Sequence, residues 1–259
     1  MQDLKVAILQ TSLHWENPTA NRGMLEEKIW QLKEKADVIV LPEMFTTGFT
    51  MNAAALAEPM NLHTFKWLKQ MASQTEAAVC GSYIVQEGGF FYNRLVWMFP
   101  DGNYKTYDKR HLFRMAGEHE VYGAGQQQLV VEWKGWKICP LVCYDLRFPV
   151  WSRNVNNAYD ALIYVANWPQ ARVKVWSTLL KARAIENIAY VAGANRVGTD
   201  GLDISYNGAS ASIDFKGEVL WEKEEEEEVW GISTWNADAL IKFREKFPAW
   251  KDADQFNIQ

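Results

Sequence analysis

The chain has 259 residues, 48% of them apolar, which is enough to cover one large core, and no linker-like stretch divides it. A formal charge of −5 without any basic cluster argues against a nucleic-acid partner. No apolar run approaches the roughly 18 residues of a membrane span, and the three cysteines, Cys80, Cys139 and Cys143, lack the pairing or CxxC spacing of a disulfide framework or zinc site. A soluble protein of the reducing cytoplasm is expected.

Residues 5–10 are a continuous β-favouring run, as for a strand buried on both faces. Asn17 and Pro18 then supply a cap and a first helical position for a helix to Lys35, with Met24, Leu25, Ile29 and Leu32 at helical spacing. A second buried strand, 38–41, leads directly into Pro42-Glu43 and leaves a carboxylate at its C-terminal end. A helix over about 63–74 and a strand over 78–85 continue the alternation, which predicts an α/β layered fold. Residues 90–99, 102–107 and 129–133 read as strands with turns such as Asp101-Gly102, so antiparallel hairpins join the sheet. Between the last two lie Lys109-Arg110-His111 and a loop-like stretch, 115–125, that carries Glu118 and Glu120.

The segment around which the chain is organised is Ile138 to Phe148, an apolar run that stops at Cys143 and turns polar. It predicts a strand-to-helix elbow that presents a thiol at a helix N-terminus, where free N–H groups and the dipole favour a thiolate and, later, an oxyanion. Cys139 lies mid-strand and reads as core. This stretch alone leaves Cys143 equally open to a packing role.

After a strand at 161–165, residues 173–191 form a long helix with two apolar stripes. Val173, Trp176, Leu180, Ala184 and Ile188 make one; Val175, Leu179, Ala182, Ile185 and Ala189 make the other. The second stripe calls for a partner, and the same helix of a second copy is the economical candidate, giving a homodimer. Strands at 191–197, 210–215, 218–221 and 229–233 and a helix at 237–246 complete one domain, 1–259, with a C-terminal tail from about 234 to 259. The acidic run 224–228 reads as a solvated turn, and four histidines without HExxH-like spacing suggest no metal site.

Glu43, Lys109 and Cys143 each follow or edge a strand-like run, where α/β sheets collect their active sites. Singly, such a glutamate is usually a cap or surface charge and such a lysine is usually solvated. Together, Leu41-Pro42-Glu43, Lys109 to Phe113 and Cys143 to Phe148 resemble, in order and spacing, the three signature segments of the nitrilase (carbon–nitrogen hydrolase) superfamily. The resemblance runs on through Asn167-Trp168-Pro169, residues 182–187 and residues 244–248.

That resemblance implies an αββα sandwich, association through outer helices, no cofactor, and a Glu43–Lys109–Cys143 triad. It also implies a second glutamate after the lysine. Glu118 and Glu120 both qualify, and the family's spacing to a glycine like Gly125 selects Glu118. In this chemistry Cys143 attacks an amide carbonyl, Lys109 and the backbone N–H of Tyr144 hold the oxyanion, and Glu43 moves the protons. Tyr144-Asp145 after the nucleophile makes the chain most similar to the omega-amidase branch, which deamidates small α-keto acids with a terminal amide, such as 2-oxoglutaramate and 2-oxosuccinamate. The far carboxylate of such a substrate needs a cation, for which Arg147 and Arg172 are candidates, with Phe45 and Trp168 as apolar walls. Arg147 has an alternative partner in Asp145. The competing readings are an amidase of the same superfamily with another short amide, and a silent scaffold, which need not keep Glu43, Lys109 and Cys143.

Overall fold

Alternation along the first strand sets the layering. Val6 and Ile8 point one way, into a core shared with Ile138, Leu141 and Val165, while Ala7 and Leu9 point the other way, against Leu25, Ile29, Leu68 and Met71 of two helices. The computed structural model describes residues 1–223, 226–254 and 256. Its elements are β1 (Leu4–Gln10), α1 (Pro18–Trp30), β2 (Val38–Val40), α2 (Ala53–Leu56), β3 (Glu58–Pro59), α3 (His63–Thr75), β4 (Ala78–Glu87), β5 (Phe90–Met98), β6 (Tyr104–Asp108) and α4 (Glu118–Val121). There follow β7 (Val131–Trp133), β8 (Trp136–Val142), α5 (Pro149–Ser152), β9 (Ala161–Ala166), α6 (Val173–Asn187) and β10 (Tyr190–Asn195). The chain then runs through β11 (Val197–Thr199), β12 (Ser205–Asn207), β13 (Ser210–Ile213), β14 (Val219–Lys223), β15 (Val229–Trp235) and α7 (Ala237–Lys246).

Two mixed sheets result. One has the order β15-β1-β2-β4-β5-β6, with β3 beside β4; the other has the order β14-β13-β10-β9-β8-β7. They pack face to face through alternate residues of their central strands, with α1 and α3 covering the first sheet and α6 covering the second. This is the αββα sandwich. The parallel strands β1, β2 and β4 in one sheet and β8, β9 and β10 in the other end on the same side, so their C-terminal loops meet at the seam between the sheets.

Local differences from the periodicity have local causes. Helix α1 stops at Trp30, where Gln31 N–H still reaches back to Glu27 O and the polar residues that follow offer little to bury. Helix α6 stops at Asn187 because Ile188 takes a left-handed conformation (φ 45°) and Ala189 N–H closes the helix on Ala184 O. That turn swings Ala189 inward and buries it completely, so it leaves the outer stripe. Val175, Leu179 and Ala182 remain half-buried on that face, and Ile185 is 54% exposed. Of the acidic run, Glu224 and Glu225 lie outside the described residues. Glu226, Glu227 and Glu228 are exposed in the turn as expected, but Glu228 also accepts hydrogen bonds from Thr11 Oγ1 and from Ser12 N–H and Oγ, and pairs with Lys28 at 2.9 Å, which ties the start of β15 to β1 and α1.

Candidate active site

The seam collects the charged residues that the chain pattern singled out. Glu43 follows β2, Lys109 follows β6, Cys143 follows β8, and Glu118 opens α4 in the loop that follows Lys109. All four are buried, with Glu43 and Glu118 fully so. Lys109 Nζ lies 2.9 Å from Glu43 Oε1 and 2.9 and 3.0 Å from the two oxygens of Glu118, over the face of Phe49 at 5.0 Å. Asn93 Nδ2 on β5 donates to both carboxylates, at 2.8 Å to Glu43 and 3.3 Å to Glu118, while Asn167 N–H after β9 donates to Glu43 Oε2 at 2.8 Å. Phe113 N–H fills a further position on Glu118. Each carboxylate is therefore fixed by three different donor groups, as burial of a charge requires. Glu120 is not part of this cluster; its side chain is exposed beside His119.

Cys143 sits at the elbow with φ of 44°, a left-handed conformation that costs a residue with a Cβ about 1–3 kcal/mol and persists only where its surroundings fix it. The segment after it is not the α-helix that the apolar pattern suggested but a single 3₁₀ turn, Cys143–Arg147, because Pro149 holds Phe148 in an extended conformation and blocks continuation. So short a turn carries little macrodipole. What it keeps is unpaired N–H groups: that of Tyr144, second in the turn, has no acceptor inside it. Cys143 Sγ lies 4.0 Å from Asn167 O.

Electrostatics follow from the burial. Burial pushes the Cys143 thiol well above its ordinary range and the Glu43 carboxylate adds to the rise, outweighing the opposing pull of Lys109. Burial works against the Lys109 charge, but Glu118 and Glu43 more than offset it and hold the ammonium protonated. Burial likewise raises Glu118, with Lys109 pulling the other way and Glu43 adding to the rise. Burial and the Glu43 charge thus work against the Lys109-stabilised thiolate that proximity alone would suggest.

A cavity of about 690 Å³ opens above this floor, with Lys109, Cys143, Tyr144 and Asn167 at its base. Arg147, Arg172 and Trp168 line its wall. The Arg147 guanidinium lies over the Trp168 ring at 5.2 Å and that of Arg172 over the Phe113 ring at 5.3 Å. Neither is paired with a carboxylate among the described residues; Asp145 binds elsewhere. Glu16, also on the wall, accepts hydrogen bonds from Thr50 Oγ1 and Asn52 Nδ2 of the segment between β2 and α2. Phe45 does not line the cavity. Its ring is fully buried between Trp67 and Tyr83 and fills the space over Gly81, in the core beneath α3. Phe45 lies two residues after Glu43, yet Met44 is left-handed (φ 41°) and turns the next side chain away from the site.

Residues 5–242 match the carbon-nitrogen hydrolase family. The chain belongs to that family. It is 48% identical to the omega-amidase YafV of Yersinia enterocolitica over 99% of each chain. It is 36% identical to the 2-oxoglutaramate amidase of Bacillus subtilis, over 95% of this chain and 96% of that one. Among solved structures, XC1258 of Xanthomonas campestris, a CN-hydrolase superfamily protein, superposes with a TM-score of 0.97 at 44% identity over 100% of both chains.

Two residues of this carbon–nitrogen hydrolase site escaped the reading of the sequence. Asn93 interrupts the apolar positions of β5, and a polar side chain buried in a central strand was its only signal. Asn167 stands in the recognised Asn-Trp-Pro segment, but nothing in that tripeptide shows that its backbone N–H and side chain grip Glu43 from the opposite sheet.

Proposed function

We propose that this carbon–nitrogen hydrolase is an omega-amidase that cleaves the terminal amide of short α-keto acids, releasing ammonia. The observation that carries the reading is the pairing of a floor in which Lys109 is clamped between Glu43 and Glu118 beside Cys143 with a wall that holds two arginines without carboxylate partners among the described residues. A guanidinium resting on an aromatic face keeps its N–H edge available, which suits bidentate binding of a substrate carboxylate.

Burial and Glu43 favour the protonated thiol, and Glu43 takes its proton as Sγ attacks the amide carbon. The developing oxyanion is held by Lys109 Nζ and the Tyr144 N–H. Glu43 then returns the proton to the leaving nitrogen, the C–N bond breaks, and ammonia departs from a thioester. Water attacks the thioester with Glu43 as base, and the C–S bond breaks to give the dicarboxylate and the free thiol. Glu118 keeps the ammonium charged and in place throughout. No step calls for a cofactor.

The half-buried outer face of α6, from Val175 to Ile185, is read as a homodimer interface. Placing aspartates at Leu179 and Ile185 should convert dimer to monomer in sedimentation, and a native chain that is monomeric at micromolar concentration would remove the reading. Three buried free thiols fit a cytoplasmic setting, and among the described residues no helix is long and apolar enough to cross a membrane. The functional test is ammonia release from 2-oxoglutaramate, 2-oxosuccinamate, neutral short amides and nitriles. The keto-acid amides should give the highest kcat/KM; faster turnover of nitriles or neutral amides would reject the assignment.

A further inference from the structure

Beneath the elbow lies a further buried carboxylate that the mechanism above does not use. Asp145 is fully buried, two residues beyond Cys143. Its Oδ2 accepts from Val142 N–H at 3.1 Å and from Tyr107 Oη at 2.7 Å. Its Oδ1 lies 3.0 Å from His111 N and 2.8 Å from His111 Nδ1. These four contacts fill the acceptor positions of a carboxylate. Their placement in the chain is the point. Val142 is the residue immediately before the nucleophile, and Tyr107 and His111 are the residues two before and two after Lys109. One side chain thus ties the backbone entering Cys143, which comes from one sheet, to both flanks of Lys109, which comes from the other. The knot is secured further out: Tyr107 Oη accepts from Trp151 Nε1 at 3.0 Å and Arg110 N at 3.3 Å, and the His111 ring stacks on Phe148 with centroids 3.7 Å apart.

We propose that Asp145 is a positioning residue for the hydrolysis, fixing the left-handed elbow of Cys143 and the Lys109 segment as one rigid unit so that nucleophile and ammonium keep their separation through the reaction. The proposal rests on Cys143 and Lys109 being the reacting pair. The charge matters as well as the shape, because an asparagine in the same place offers an acceptor on one side only and turns an NH₂ group toward two donors on the other.

The test is Asp145→Asn in the full chain, with steady-state kinetics on whichever amide the unmodified enzyme turns over fastest and iodoacetamide labelling read residue by residue. The expected result is a fall in kcat of about 10²-fold, the scale of an ångström-sized misplacement, with KM changed by less than about threefold. Labelling of Cys143 at neutral pH should slow about tenfold as the thiol loses its fixed ammonium neighbour, while Cys80 and Cys139 stay protected. Tyr107→Phe, which removes one donor and keeps the ring, should lower kcat in the same direction by about tenfold less. Unchanged kcat in Asp145→Asn would overturn the proposal. So would a fall in kcat accompanied by labelling of Cys80 and Cys139 with Tyr107→Phe kinetically normal, since the carboxylate would then serve only folding. Cys143→Ala separates the two levels: if it still turns over amide, the reacting pair itself is wrong, whereas an inactive Cys143→Ala beside a normal Asp145→Asn removes only the positioning role.

Discussion

The floor and the wall of the cavity treat charge in opposite ways. On the floor Lys109, Glu43 and Glu118 are fully buried, and every charge is gripped by at least two partners at 2.8–3.3 Å. On the wall Arg147 and Arg172 are half-buried, each on an aromatic face, with no carboxylate partner among the described residues. A charge already satisfied cannot gain much by binding a ligand, but it can be held ready for charge that develops in a transition state. A charge left without a partner gains most when a ligand brings one. On the function proposed above, changes to the floor should alter kcat and changes to the wall KM.

The sharpest break of this contrast is at the nucleophile. Cys143→Ala should lower amide turnover by about 10⁴-fold or more with the fold intact, while Cys80→Ala and Cys139→Ala, which change only packed core positions, keep most activity. Kinetics paired with thermal unfolding would show it, and loss of activity in either core variant at native stability would move the nucleophile. Next in size, Glu43→Gln should cost about 10²–10⁴-fold in kcat with little change in KM. The same change removes a charge that raises the Cys143 thiol, so the pH midpoint for iodoacetamide labelling should move down even as turnover is lost. A midpoint that stays or rises would mean that Glu43 does not face the thiol.

The wall should answer differently. Replacing the arginine that binds the substrate carboxylate, Arg147 or Arg172, by Met should raise KM for 2-oxoglutaramate by about 10- to 100-fold, the worth of a charge-assisted hydrogen bond, and leave a neutral short amide almost unaffected. Equal losses on both substrates from both variants would make the arginines structural. Smallest is the effect of a paired charge outside the cavity. Burial works against the Glu228 charge, but hydrogen bonds from Ser12, Lys28 and Thr11 prevail and hold its carboxyl at about 2. With the folded value below the ordinary unfolded value of about 4.3, its contribution to stability is fully present above that pH and is lost as pH falls toward 2. Glu228→Gln should flatten the acid limb of a Tm-against-pH curve in that window and leave kcat and KM at pH 7 unchanged; an altered KM would mean that the turn communicates with the cavity.

How much of this could be read beforehand depended on whether the signal was local. Continuous β-favouring runs at 5–10, 38–41 and 138–142 marked strands buried on both faces, and all three lie inside the sheets rather than at an edge. The αββα layering came from resemblance, since periodicity says that a face is buried and not what covers it. The same limit separated Phe45 from Trp168. Both are large aromatics beside motif residues, but the backbone turn at Met44 sends one into the core, while the other lines the cavity under Arg147. Ala189 left its stripe for a comparable reason, because the helix ended one turn earlier than its composition suggested.

By itself the sequence determined that Glu43, Lys109 and Cys143 stand at strand ends of an α/β protein, because strand and helix periods are properties of neighbouring residues and the motif order is a property of the chain. It also placed Arg147 and Arg172 close enough in sequence to the motifs to be candidates. Only the tertiary structure decided that Asn93 and Asn167 complete the cluster around Glu43 and that Asp145 grips both flanks of the lysine rather than Arg147. Each of these contacts crosses between segments 34 to 124 residues apart. Hydrogen bonds of that reach are fixed by the register of two sheets packed face to face, which no local pattern of side chains records.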